Sequence, residues 1–310
     1  MKILFITMFL ISILFNGCGS GGTSENTNTT TPIIKTISGV AVDGYLLNAK
    51  ICLDINENDY CDNNEPSTTT SNDGKYSFET TLNGIYTILV VGGVDTATNQ
   101  SFYGILKDII EVDNTTTKID STINLLTTSA ANIYNNAKNN NINITIDQAK
   151  EKVANYLDIT KEQVSGDPMK DTTIFIKTQQ IVQTIQLVTS KINTTDKKDI
   201  FNKSLESISD LMDNSDKFNI SEIANNIAVN NNIVLNENIE SFITLYTQEF
   251  ETKAYTYSDN LATLQNSFQS LTDSAEEKIN NDDTDNLNDI IRNIQIDILS
   301  DFKPPQIPTL

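Results

Sequence analysis

The spacing of apolar residues changes once along the chain, near residue 120. Before that point, apolar and polar residues alternate in short runs separated by turn-forming pairs such as Asp43-Gly44 and Asn83-Gly84. So many short runs in about 85 residues predict a small antiparallel β-sandwich over residues 37–120. The almost continuously apolar run Ile85–Val91 is expected to be a central strand. The other predicted strands are Ile37–Val42, Ala49–Leu53 and Lys75–Glu79, with edge strands at Tyr103–Leu106 and Lys118–Asp120.

After residue 120 the apolar residues recur with the period of an amphipathic helix. The first helix is predicted over Ser121–Lys138, capped by Asp120 or Ser121, and the second from about Thr145. Later stripes predict further helices; two of them are Ile181, Ile185, Val188 and Ile192, and Leu261, Leu264, Phe268, Leu271, Ala275 and Ile279. The fold class is therefore predicted to be α+β and multidomain. It comprises the β-sandwich, an all-α helical bundle over residues 121–303 and a tail at residues 304–310.

The first 17 residues have the pattern of an export signal, with one lysine, an apolar run from Ile3 to Phe15 and the small residue Gly17. Residues 14–18 resemble the lipobox of bacterial lipoproteins, in which the signal is removed and the cysteine is acylated. The resemblance implies a lipid on Cys18, and Gly19 after it implies transfer to the outer membrane, facing the periplasm or the surface. Residues 18–36 are expected to form a flexible tether, because polar residues dominate them. The alternative is an ordinary cleaved signal with a spare thiol.

The composition of the 310 residues excludes several functions. Acidic residues outnumber basic ones 41 to 21, and a net charge of −20 opposes phosphate backbones, so no nucleic-acid partner is expected. The chain has no histidine, which excludes Ser-His-Asp and Cys-His nucleophile pairs and HExxH zinc sites. Glu276-Glu277 is interpreted as a solvated helix end rather than a pair of catalytic carboxylates. The expected partners are the membrane, through the lipid on Cys18, and an unidentified envelope or extracellular protein.

The number of cysteines favours an oxidising compartment. If Cys18 carries lipid, Cys52 and Cys61 remain as an even set in an exported protein, where disulfides persist. A Cys52–Cys61 disulfide is therefore predicted, and a pair of buried thiols is the alternative.

Residues 38–79 contain a strand pair, an acidic loop over residues 54–65 and a following T-x-x-x-G-x-Y-x-F pattern. Outside the loop, the residues of these motifs are Gly39, Val40, Ala49, Ile51, Thr70, Gly74, Tyr76 and Phe78. In this order they resemble the carboxypeptidase-regulatory-like and Sdr-type B domains of bacterial surface proteins. The resemblance implies a prealbumin-like sandwich that serves as a stalk or binding module, not as a peptidase.

The acidic loop carries oxygen ligands at the spacing of a 12-residue calcium loop. Asp59 stands at position six, where such loops need glycine, and the residues before the loop are predicted to be a strand, which argues against a helix-loop-helix hand. A weak, structural Ca²⁺ site is predicted, and a solvated acidic turn clamped by the disulfide is the alternative. The candidate ligands are Asp54, Asn56, Asn58, the carbonyl of Tyr60, Asp62 and Glu65.

Together these observations predict a non-enzymatic, lipid-anchored protein of the cell envelope that acts in surface binding, adhesion or as a structural module. One alternative is a lipoprotein that binds a small ligand in a pocket of the helical part, and another is a histidine-free hydrolase. A deep polar pocket with converging carboxylates would favour the enzyme, and a filled bundle with one exposed apolar patch would favour the binding or structural protein.

Overall fold

A computed structural model describes residues 32–192, 196–281 and 283–296, and within this part all strands precede all helices. From Ile33 onward these residues form one compact unit. The strands are β1 Lys35–Ala41, β2 Leu46–Leu47, β3 Lys50–Asp54, β4 Ser67–Thr69, β5 Lys75–Thr80, β6 Gly84–Val91, β7 Val94–Asp95, β8 Ile105–Val112 and β9 Lys118–Ile123. The α-helices are α1 Leu125–Asn139, α2 Ile146–Leu157, α3 Lys161–Val164, α4 Thr172–Thr189, α5 Lys197–Asn214, α6 Ile220–Asn230, α7 Glu237–Thr256, α8 Leu261–Asn280 and α9 Leu287–Ile296. The chain is thus a mixed α and β protein.

The strands form a four-stranded sheet in the order β4-β3-β6-β8, a three-stranded sheet in the order β5-β1-β9, and the small pair β2-β7. The strand β6 lies between β3 and β8, which confirms the central position predicted for Ile85–Val91. The prediction of purely antiparallel pairing is wrong, because β1 and β9 run parallel. Parallel neighbours need a long connection, here the whole of β2 to β8, so no local turn signal could reveal this pair.

One hydrophobic cluster contains residues from both larger sheets, so their apolar faces bury each other. The predicted alternation places these residues correctly, because successive side chains of a strand point to opposite faces. The cluster includes Ile37, Ile51, Leu53, Tyr76, Phe78, Ile88, Val90, Leu106 and Ile110.

The first helix begins later than predicted. Residues Ser121 to Ile123 belong to β9 and pair with β1, so Asp120 and Ser121 do not cap a helix. The cap is Asn124, whose side-chain oxygen accepts hydrogen bonds from the backbone N–H groups of Leu126 and Thr127, while the Thr127 hydroxyl accepts from the Asn124 backbone. The predicted start of the second helix near Thr145 is confirmed, because α2 begins at Ile146 and Thr145 caps it.

The helix α1 joins the helical part to the four-stranded sheet. The Thr127 hydroxyl donates to the Lys107 carbonyl at 2.8 Å, and the Lys107 N–H donates to the Thr128 hydroxyl at 2.9 Å. The hydrogen-bonding edge of β8 is therefore covered by α1 instead of facing solvent.

The helical stripes predicted from periodicity are core residues. Every apolar position predicted for α8 is buried except Leu271, which is partly buried against the same cluster. The stripe predicted for α4 is confirmed up to Val188, but Ile192 lies beyond the end of that helix at Thr189. In residues 32–192, 196–281 and 283–296, no helix is both long and apolar enough to cross a bilayer.

The predicted signal peptide, residues 1–17, Cys18 and the tail at 304–310 lie outside the described residues. The predicted tether extends to residue 36, but Lys35 and Thr36 already belong to β1.

Candidate functional site

The acidic loop is held by hydrogen bonds from its own backbone to two buried carboxylates. Asp54 is 2% exposed and accepts from the N–H groups of Asn58 and Asp59 at 3.2 and 3.0 Å. Glu65 is 6% exposed and accepts from the N–H groups of Ile55 and Asp62 at 2.8 and 2.9 Å. Burial raises the pKa of Asp54, against the lowering effect of these N–H donors. The first and last residues of the predicted calcium loop therefore hold its backbone in place through hydrogen bonds to their carboxylates.

The other predicted ligands contact one another at the surface. Asp62 accepts from the side-chain amides of Asn56 and Asn58 at 2.8 and 3.0 Å. The side-chain oxygen of Asn58 accepts from the Tyr60 N–H at 2.9 Å, and the Tyr60 side chain is exposed. All six predicted ligands are thus gathered in one loop, but the side-chain oxygens of Asp54, Asn58, Asp62 and Glu65 accept hydrogen bonds from protein donors.

A disulfide and two ion pairs fasten the loop to the rest of the protein. Cys52 and Cys61 form the predicted disulfide across the base of the loop. Asp59 pairs with the buried Lys107 of β8 at 2.8 Å, and Glu57 pairs with Lys138 of α1 at 2.5 Å. The alternative of two buried thiols is therefore wrong.

Asp59 takes the conformation for which glycine is usual in calcium loops. Its φ is +59°, in the left-handed region, so the missing glycine does not prevent the sharp turn. Within the part of the chain that the structure describes, however, no three or more His, Cys, Asp or Glu side chains are grouped to hold a metal ion. Calcium binding by the loop stays a prediction.

A groove of about 750 Å³ lies between the β part and the helices. Its walls come from the turn after β1, from β7 and the segment that follows it, and from α4, α5 and α8. One face of α8 contributes Gln265, Gln269, Asp273, Glu276 and Asn280, because residues spaced by three or four positions share a helix face.

At one end of the groove a buried carboxylate is held by several donors. Asp95 is 6% exposed and accepts from the Ala97 N–H, the Thr98 hydroxyl and the Gln265 amide at 2.8, 2.8 and 2.9 Å. The backbone at residue 44 can approach the Asp95 carboxylate this closely only because the residue is glycine, since a Cβ there would lie 1.9 Å from Asp95 Oδ1. Burial raises the pKa of Asp95 despite these donors.

Asp43 lies beside Asp95 at the same end. Burial and the charge of Asp95 raise the pKa of Asp43 well above its usual range. The Asp43 carbonyl accepts from the Gln265 amide at 2.7 Å. Among the described residues no donor bonds to the Asp43 carboxylate, so this group is available to a ligand.

The other end of the groove carries Asp273 and Glu276 of α8. Asp273 accepts from the side-chain amides of Gln100 and Gln269 at 3.1 and 2.9 Å. Burial, reinforced by Asp273 and opposed by Lys197, raises the pKa of Glu276 to about 7. The interpretation of Glu276-Glu277 as a solvated helix end is therefore wrong for Glu276, which is partly buried, whereas Glu277 is exposed.

The groove also carries acceptors without donors and an apolar wall. The side-chain oxygens Gln186 Oε1 and Gln265 Oε1 are buried, and no protein donor within the described residues reaches them. Phe102 and Phe201 meet edge to face in the wall, with ring centroids 5.5 Å apart. The groove thus combines carboxylates, acceptors and apolar surface, which is the usual composition of a ligand site.

Sequence reasoning missed this groove. The sequence offered one signal. Gln265, Gln269, Asp273 and Glu276 are spaced by three or four positions and therefore form a polar stripe along one side of α8. The pairing of that series with residues near Asp95 depends on the fold. In comparisons with known proteins, the chain matches no family model and no curated protein.

Proposed function

We propose that this chain is a lipid-anchored envelope protein that binds a small polar ligand in the groove between its β part and its helices. The observation that carries the proposal is the groove itself, which is lined by the carboxylates of Asp43 and Glu276 and by two buried glutamine oxygens that no donor among the described residues reaches. Anchoring through a lipid on Cys18, in the outer membrane, rests on the lipobox-like residues before it.

We infer that the two larger sheets form the prealbumin-like sandwich implied by the sequence resemblance, with the helices as an attached bundle. Supporting this, both sheets contribute to one apolar cluster. In this arrangement the turn after β1, the strand β7 and the segment that follows it line the groove together with α4, α5 and α8.

Binding is favoured over hydrolysis by the separation of the available carboxylates. Asp43 lies at the level of Gln265, and Glu276 follows Gln265 by eleven positions, about 16 Å along the axis of α8. A pair of carboxylates that cooperates in glycoside hydrolysis stands about 5–9.5 Å apart. The other two carboxylates, Asp95 and Asp273, are already engaged by side-chain and backbone donors.

The proposal is tested by analysing what leaves the purified protein. The full-length chain is extracted from native membranes in detergent and denatured, and the released small molecules are identified by liquid chromatography and mass spectrometry. We expect a molecule that accompanies the wild type but not Gln269→Trp, whose indole fills the groove. The matched control is Asn266→Trp, which places the same side chain on the exposed side of α8. Equal contents in all three proteins would contradict ligand binding in the groove.

The anchor is tested separately. Labelled palmitate should enter the wild type and fail to enter Cys18→Ser. Wild-type protein that stays unlabelled would remove the lipid anchor but leave the groove as a ligand site.

A further inference from the structure

The charges of the groove identify the class of ligand. Within its described lining residues, carboxylates outnumber ammonium groups by four to two, so the groove is anionic when all are ionised. Lys197 already contacts the Tyr103 ring, 5.4 Å from its centroid. An anionic cleft with low-dielectric walls concentrates cations and repels anions. The six charged residues are Asp43, Asp95, Asp273, Glu276, Lys191 and Lys197.

These carboxylates occupy two separate places. Asp43 and Asp95 lie at the level of Gln265, whose amide donates to the backbone carbonyl of Asp43 and to the carboxylate of Asp95. Asp273 and Glu276 follow eight and eleven positions later on α8, about 12–16 Å along its axis. A single ammonium group could neutralise only one of these pairs, so a ligand that satisfies both needs positive charge at each end.

The groove also has apolar surface for the rest of such a ligand. Val182 and Ile185 of α4 and the rings of Phe102 and Phe201 contribute this surface to its lining. The buried side-chain oxygen of Gln265, which no donor among the described residues reaches, adds an acceptor at one end. A hydrogen bond from an N–H group of the ligand would satisfy this acceptor. Methylene groups suit the wall, and N–H groups suit the ends.

We propose that the groove binds a linear polyamine, with terminal ammonium groups at the Asp43/Asp95 and Asp273/Glu276 ends. This inference rests on the proposed function of the same groove. An extended triamine with three-carbon and four-carbon spacers places its terminal nitrogens about 11 Å apart, which is close to the shorter of the two axial separations. Its charge complements the groove, and its methylene segments face the apolar wall.

The inference is tested by isothermal titration calorimetry of the full-length chain in detergent with spermidine. We expect binding that weakens about tenfold in Glu276→Gln, because one charge-assisted contact is lost. The matched control is Glu277→Gln, which removes the same charge from the exposed neighbouring position and should bind as the wild type does. Butylamine, with a single charge, should bind far more weakly than spermidine.

Absence of spermidine binding, or equal weakening in Glu276→Gln and Glu277→Gln, would overturn the inference, since a protein of charge −20 attracts polycations everywhere. The proposed function fails differently. If a released molecule depends on an open groove but is not a polyamine, the polyamine inference falls and the binding function stands. If Gln269→Trp releases the same molecules as the wild type, both fall.

Discussion

Glu276 provides a direct test of the electrostatics of the groove. Its pKa is raised from 4.5 to about 7, chiefly by burial and then by the charge of Asp273. Between these two values the folded protein holds the Glu276 proton more tightly than the unfolded chain does. The free energy of unfolding contributed by this group therefore falls as pH rises from about 4.5 to about 7, and stays low above that.

The perturbation is Glu276→Gln, which removes the titrating group and keeps the shape of the side chain. A pKa difference of this size corresponds to about 3.4 kcal/mol if the group were fully buried. Because Glu276 is only partly buried, solvent screens part of this, and we expect roughly 1–2 kcal/mol. Relative to the wild type, the variant should therefore gain about this much stability between pH 4.5 and pH 8.

The assay is urea unfolding followed by far-ultraviolet circular dichroism at pH 4.5, 6 and 8, without added ligand. Loss of other Glu276 contacts would change the free energy of unfolding of the variant by the same amount at every pH. Only the part of the difference that varies with pH therefore reports on the titration of Glu276. Glu277→Gln is the control, and its difference from the wild type should be flat, because Glu277 is exposed. A difference between wild type and Glu276→Gln that does not vary with pH would refute the burial of this carboxylate.

Three further predictions concern the β part. Reduction of the Cys52–Cys61 disulfide should lower the free energy of unfolding by about 2.7 kcal/mol, because the bond closes a short loop; thermal melting with and without reductant checks this, and an unchanged melt with both thiols alkylated would contradict it. Gly44→Ala should cost about 2 kcal/mol or more, since the added Cβ meets Asp95 at a φ of +68°. The control Gly92→Ala has a similar φ of +65°, but its added Cβ would come no closer than 3.9 Å to the Phe102 carbonyl oxygen, so denaturant unfolding should show a smaller loss of stability. Equal losses would mean that the close approach to Asp95 does not matter. If the acidic loop binds calcium with a Kd of about 10⁻⁴–10⁻³ M, 1 mM calcium should raise the free energy of unfolding by roughly 0.4–1.4 kcal/mol relative to chelator. Identical melts with calcium and with chelator would contradict calcium binding and mean that the disulfide, hydrogen bonds and ion pairs hold the loop without a metal ion.

The acidic loop is connected to the helical part through the strand β8 and the first helix. The acidic loop is tied to Lys107 and Lys138 by ion pairs, and Lys107 is bonded through its backbone to the start of α1. The groove lies elsewhere, against α4, α5 and α8. The acidic loop therefore stabilises the junction of sheet and helices, and it is separate from the groove in which we propose that a ligand binds.

Local pattern in the sequence was sufficient for the elements themselves. The strand Ile85–Val91 follows from a continuous apolar run after a turn signal, and helices such as α8 follow from a side-chain period of 3.6; both patterns depend only on neighbouring residues. The start of α2 near Thr145 and the pairing of Cys52 with Cys61 could also be predicted, because helix starts are marked locally and the two cysteines are close in sequence.

Tertiary structure alone decided the features that join distant residues. The parallel pairing of β1 with β9 moved the start of the first helix from Ser121 to Leu125, because strand hydrogen bonds outcompeted a local capping signal. The groove joins Asp43 and Asp95 to Glu276, which no spacing in the sequence relates. The raised pKa of Glu276 arises from burial, and burial is a property of the packed fold rather than of the residue.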